Sequence, residues 1–206
     1  MRSNLATFLD DYRRYGDAPA IVVHRGNRRL ISTWNEIAGL ADRFAAELMR
    51  RDIPMGERVV ILGPNGGEWM GAFFGCLQRG VIAVPLDPAG AIDFANRVIA
   101  DTKPRLIVGE AALLRELAGD HPTLAFEDFA SKLTQPPPSN VRDPNLTPDT
   151  PFQILFTSGT TAEPKGIVHT HRNVLASLDP VEQEIRKYLK YERIFHPLHF
   201  LHTLPL

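Results

Sequence analysis

The chain has 206 residues, 44% of them hydrophobic and 23% charged, with a formal net charge of −1. That is the composition of a globular chain with material for a core, and its near-neutral balance gives no reason to invoke nucleic acid or an anionic membrane as a partner. The single cysteine, Cys76, excludes an intrachain disulfide and fits a reducing, cytoplasmic setting, and no apolar run reaches the length of a membrane span.

Residues 4–15 read as a short amphipathic helix, with Leu5, Phe8, Leu9 and Tyr12 at helical spacing. The opening stretch turns acidic at Asp10-Asp11, too soon for a signal peptide. Two short apolar runs, 20–24 and 28–32, flank Arg25-Gly26-Asn27 and predict a hairpin. Thr33-Trp34-Asn35-Glu36 is a capping-box sequence that opens a helix to about Arg51, with Ile37, Leu40, Ala41, Phe44 and Leu48 on its apolar face.

Arg58-Val59-Val60-Ile61-Leu62 is a continuous apolar run of the kind found in a strand buried on both faces. A glycine-rich turn, 63–67, leads to a helix over 68–78 with Gly80 as its cap. A strand over 81–86, a helix over 92–101 and a strand over 105–108 follow. Strand and helix alternate, which predicts an α/β fold: a mostly parallel sheet flanked by helices, with a β-hairpin. The 63–67 turn lacks the full G-x-G-x-x-G pattern, so a dinucleotide site is not indicated. Two short helices (111–118 and 127–133) enclose a short strand at 123–126. Residues 135–150 are proline-rich without apolar periodicity and read as a connection crossing the surface. We therefore divide the chain into a scaffold (1–134), a connection (135–150) and a final part (151–206) of the same domain.

That final part begins with a strand, Pro151-Phe152-Gln153-Ile154-Leu155-Phe156. A loop follows, Thr157-Ser158-Gly159-Thr160-Thr161-Ala162-Glu163-Pro164-Lys165-Gly166, and then a second strand from Ile167. Hydroxyls and backbone N–H groups can be presented to an anion, glycine lets backbone approach closely, and Lys165 adds a point charge. These groups suit a polyphosphate. The order is not that of a Walker A loop, in which lysine follows the second glycine and a helix follows the loop. A helix is expected over 170–178. Asp179-Pro180-Val181-Glu182 then signals either a second helix or a kink, reaching about residue 189. Near the end, His196, His199 and His202 recur every three residues. No carboxylate or thiol accompanies them, and Pro197 interrupts any helix, so locally paired histidines are favoured over a metal site.

The stretch Thr157–Gly166, with Val168-His169-Thr170-His171-Arg172-Asn173 after it, resembles the phosphate-binding signature of the adenylate-forming superfamily, which includes acyl-CoA synthetases and peptide-synthetase adenylation domains. The departure is Ala162, where that family usually has glycine. Residues 56–88 and Leu204-Pro205-Leu206 also resemble it. The resemblance implies ATP-dependent activation of a carboxylic acid, in the manner of a long-chain fatty acid–CoA ligase, with ATP, Mg²⁺ and coenzyme A. Thr157, Ser158, Gly159, Thr160, Thr161, Lys165 and Gly166 would bind the nucleotide, with Lys165 the catalytic charge. No protein metal ligand is expected. A carrier-protein thiol as acceptor, or an inactive nucleotide-binding relative, stays open. The family's downstream motifs are absent from these 206 residues, so the resemblance implies an N-terminal fragment that does not turn over alone. Such a fragment is expected to self-associate through an unpaired strand near 152–156 or through 194–206.

Overall fold

The computed structural model describes residues 2–25, 28–157 and 164–188. A 3-10 turn, Leu5–Thr7, leads into α1 (Phe8–Tyr15). Then come β1 (Pro19–Arg25), β2 (Arg28–Thr33) and α2 (Trp34–Arg50). Next are β3 (Arg58–Leu62), α3 (Gly67–Arg79), β4 (Ile82–Leu86), α4 (Ile92–Thr102) and β5 (Leu106–Gly109). Short elements follow: α5 (Ala111–Glu116), β6 (Thr123–Ala125) and α6 (Phe129–Lys132). The described chain closes with β7 (Pro151–Thr157), β8 (Lys165–Thr170) and α7 (His171–Tyr188).

Six strands form one sheet in the order β6-β5-β3-β4-β7-β8, parallel except for the antiparallel β7–β8 pair. β1 and β2 form a separate antiparallel ribbon. The expected mostly parallel α/β sheet with a hairpin is what the chain builds. The reason lies in side-chain alternation along the central strands. Val59, Ile61, Ala83, Leu106 and Val108 enter one core with α1, α2 and α3. Val60, Leu62, Val84, Leu86 and Ile107 enter the other, under α4. With both faces buried, neither can be polar, and the strands read as unbroken apolar runs.

The helices end where their capping residues say they should. The Thr33 hydroxyl accepts from the Glu36 amide, and the Glu36 carboxylate accepts from the Thr33 amide in return. Gly80 closes α3 with φ 61°, a left-handed conformation that costs glycine little. α2 and α3 lie close because glycine lines the contact. A Cβ at Gly71 would stand 2.6 Å from Leu40, and one at Gly75 would stand 2.7 Å from Phe44.

The proline-rich connection is pinned to the body it crosses. Arg79 donates to the Val141 carbonyl (3.0 Å), the Asp143 amide donates to the Gln78 carbonyl (2.8 Å), and Arg142 pairs with Asp10 (2.8 Å). Val141 is buried. α7 runs as one helix through Pro180, so no second helix begins at Asp179. Val174, Leu175 and Leu178, on the turns before the proline, all sit in the core. The edge of the sheet falls on β8 rather than at 152–156. β7 is paired on both sides, whereas Ile167 and Val168 on β8 are 52% and 55% exposed. The histidines at 196, 199 and 202 lie outside the described residues.

Candidate functional site

The β7–β8 hairpin brings the two ends of the hydroxyl-rich loop together. Thr157 stands opposite Lys165 in the ladder, and Phe156 stands opposite Gly166. Lys165 is exposed, and among the described residues it makes no ion pair. Ser158, Gly159, Thr160, Thr161 and Ala162 lie between these ends, outside the described residues. The structure therefore places Thr157, Lys165 and Gly166 of the expected set, and it places them at one end of the sheet.

Gly166 has a packing reason that the sequence did not reveal. A Cβ there would meet Ile154 Cγ2 and the Phe156 ring, both at 2.9 Å. Those two side chains lie across β8 at the glycine and reach the core under α4.

The other end of the hairpin is clamped. The ladder shifts register between Pro151 and Gln153, a β-bulge. Phe152 turns into the core with α3, while Ile154 and Phe156 pack on the opposite side. The Phe152 ring meets Phe73 of α3 edge-on at 6.2 Å. At the exit of β8, the Asn173 amide donates to the Thr170 hydroxyl at 3.4 Å, capping α7, and the Thr170 amide and hydroxyl both lie 2.9 Å from Asn173 Oδ1. The His171 amide donates to the Thr150 carbonyl (3.3 Å), and the Arg172 amide donates to the Pro148 carbonyl (2.7 Å). The Arg172 guanidinium grips Asp149 through two bonds of 2.6 and 2.7 Å, which holds the Asp149 carboxyl below its ordinary range. Both partners are exposed, so that fork adds little stability.

His171 is fully buried. Its ring stacks on Phe152 at 5.2 Å with 12° between planes. Nδ1 accepts the Leu5 amide at 3.3 Å, which leaves the proton on Nε2. Burial pushes the imidazole down to about 4, so it is neutral at physiological pH. Sequence reasoning saw this residue only as part of a motif. Its partner is 166 positions away and left no local signal.

Among the described residues, no group of three or more His, Cys, Asp or Glu is placed to hold a metal ion. No described helix is long and apolar enough to cross a membrane.

A parallel sheet covered on both faces and ending in a hairpin with a hydroxyl-rich, lysine-closed loop defines an α/β domain. The chain belongs to the AMP-binding enzyme family, which matches it over residues 8–206. A long-chain-fatty-acid–AMP ligase of Mycobacterium tuberculosis is 34% identical over 157 residues, covering 70% of this chain and 26% of that protein. A D-alanine–D-alanyl carrier protein ligase of Lactiplantibacillus plantarum is 26% identical over 179 residues, covering 87% of this chain and 34% of that protein. In fold, the chain resembles a fatty acyl-adenylate ligase from Legionella pneumophila, solved with acyl adenylate and pyrophosphate. That likeness has a TM-score of 0.74 at 24% identity and covers 89% of this chain and 33% of that one. The chain thus spans about a quarter to a third of the length of these relatives.

Proposed function

We propose that the protein, at the full length of its gene, activates a fatty acid as its adenylate. The carboxylate oxygen attacks the α-phosphorus of ATP. The acyl–phosphate bond forms, the bond to the β-phosphate oxygen breaks, and pyrophosphate leaves with the electron pair. The negative charge moving onto the leaving phosphates is what a site must stabilise. Lys165 supplies a positive charge to the β- and γ-phosphates. Thr157, Ser158, Thr160 and Thr161 supply hydroxyls, while Gly159 and Gly166 let backbone N–H groups approach. Magnesium, held with the nucleotide beside the Thr157–Gly166 loop, would supply further positive charge against the phosphates. Residues 1–134 serve as scaffold, 135–150 as connection and 151–206 as the loop-bearing part of the same domain. A cytoplasmic location fits Cys76, whose thiol burial pushes far up and keeps protonated.

In a second step a thiol sulfur attacks the acyl carbon, AMP leaves, and the sulfur loses its proton. Coenzyme A is the acceptor the sequence led us to expect. A carrier-protein thiol is the second reading, and the relatives' names support it: one is a fatty-acid–AMP ligase and another acts with a carrier protein. The observation that carries the reading is the hairpin holding Thr157 opposite Lys165 in a chain of the AMP-binding family.

The test is fatty-acid-dependent ATP–pyrophosphate exchange by the full-length protein, followed by acyl transfer to coenzyme A or to a phosphopantetheinylated carrier protein. ATP binding without exchange would leave a nucleotide-binding relative in place of an enzyme.

A further inference from the structure

We propose that His171 is a positioning residue for adenylation: it ties the foot of the β7–β8 hairpin to the N-terminal 3-10 turn and so sets where the two ends of the phosphate-binding loop stand. This rests on the function proposed above.

Three separate stretches of chain meet at this residue. Its ring stacks on Phe152 of β7, its Nδ1 takes the Leu5 amide, and its own amide bonds to Thr150 at the end of the connection. From Phe152 to Thr157 is about 17 Å of strand, at roughly 3.3 Å per residue, so His171 acts through β7 and touches no phosphate. A small tilt at the foot becomes a displacement at the loop.

The choice of histidine is informative because it is not the most stable choice. Nε2 is buried and has no hydrogen-bond partner among the described residues. A buried donor left without a partner destabilises the fold. Phenylalanine would keep the stack and carry no such donor. The first hairpin does use an apolar ring at the same place: Trp34, the first residue of α2, is buried against Tyr12 at 4.6 Å. What histidine adds at 171 is an acceptor aimed at Leu5.

Three variants of the full-length protein separate the parts. His171→Phe keeps a ring and loses the acceptor. His171→Asn keeps an acceptor and loses the ring. Leu5→Pro removes the donor and leaves His171 intact, at the first position of its turn; because the Leu5 side chain is itself buried, Leu5→Ala, which keeps the donor, is its control. Two readouts are taken: backbone amide exchange at Phe156 and Lys165 without nucleotide, and KM for ATP against kcat in pyrophosphate exchange. We expect His171→Phe and Leu5→Pro to speed amide exchange at both positions. Both should raise KM for ATP by about tenfold, with kcat changed far less, because misplacement of the loop weakens phosphate binding. His171→Asn should fall between them and wild type.

Unchanged amide exchange and unchanged KM in the two acceptor-breaking variants would overturn the proposal. So would a fall in apparent kcat in proportion to unfolded protein with KM for ATP unchanged. If the wild type shows no pyrophosphate exchange with any fatty acid, adenylation fails as a reading. The amide-exchange arm then still decides whether His171 holds the hairpin.

Discussion

The chain builds two hairpins to one plan, and only the second carries the hydroxyl-rich loop for which we propose phosphate binding. β1 and β7 each begin with proline and then shift register, at Pro19/Ile21 and at Pro151/Gln153. The return strands align residue by residue. Arg28-Arg29-Leu30-Ile31-Ser32-Thr33 stands against Lys165-Gly166-Ile167-Val168-His169-Thr170. In both, the third and fourth residues are exposed aliphatics and the last is a threonine that caps a long helix. In both, the first helical residue is a buried ring. The differences are few. The first hairpin stands as its own ribbon, whereas the second docks on β4 of the parallel sheet. The first puts arginine where the second needs glycine under Ile154 and Phe156. A hairpin followed by a capped helix is thus a way to deliver a loop. In the function proposed above, the loop's residues supply the chemistry and the sheet holds the loop's two ends.

The comparison is broken most directly at the first residue of each return strand. Lys165→Ala should slow adenylation by about ten- to a thousandfold, from lost charge stabilisation on the phosphates. Arg28→Ala, at the matching position of the ribbon, should leave pyrophosphate exchange unchanged. Equal effects would mean that neither lysine nor hairpin is special.

Acid should distinguish the two buried rings. The folded state holds the His171 imidazole near 4, below its usual 6.5, so the unfolded chain takes up the proton first as pH falls. The stability is whole above about pH 6.5 and is lost progressively toward pH 4, by up to about 3 kcal/mol. Denaturant unfolding at several pH values reads this slope. His171→Phe should flatten it, and Trp34→Phe should leave it in place.

Gly166→Val forces a side chain into Ile154 and Phe156 and should destabilise by about 1–3 kcal/mol. Arg29→Val, opposite it in the comparison, should stay within about 0.5 kcal/mol of wild type, as exposed substitutions do. Thermal unfolding compares the two. The smallest effects belong to the caps. Thr33→Ala and Thr170→Ala should each cost about 1 kcal/mol, and a clear inequality would mean that the helices do not depend on their caps alike.

Much of this fold could be read from residue order because its causes are local. The Thr33–Glu36 box, the Gly80 cap and the unbroken run from Val59 to Leu62 each state their role within a few positions. The positions of Thr157 and Lys165 at the two ends of the hydroxyl-rich loop were legible for the same reason, since strand patterns flank them on both sides. Long-range facts were not. That α7 runs on through Pro180 was not in the local Asp179-Pro180-Val181-Glu182 signal, which reads as a helix start or a kink. The sheet edge was expected near 152–156 and lies on β8, because pairing of β7 with β4 brings together residues some seventy positions apart, Ala83 and Gln153. The burial of His171 depends on Leu5, at the other end of the described chain.

The bulge at the start of β7 has a consequence for how this segment can change over generations. The extra residue lets Phe152 serve one core while Ile154 and Phe156 serve the other. Removing or adding one codon between Pro151 and Ile154 would invert that assignment, because side chains alternate strictly along a strand. Phe152 or its neighbours would then face the wrong layer, and Gly166 would no longer lie beneath the Phe156 ring. Single substitutions here change one contact each, but a one-residue insertion or deletion changes all of them at once. Lineages can therefore be expected to vary the letters of this stretch far more readily than its length.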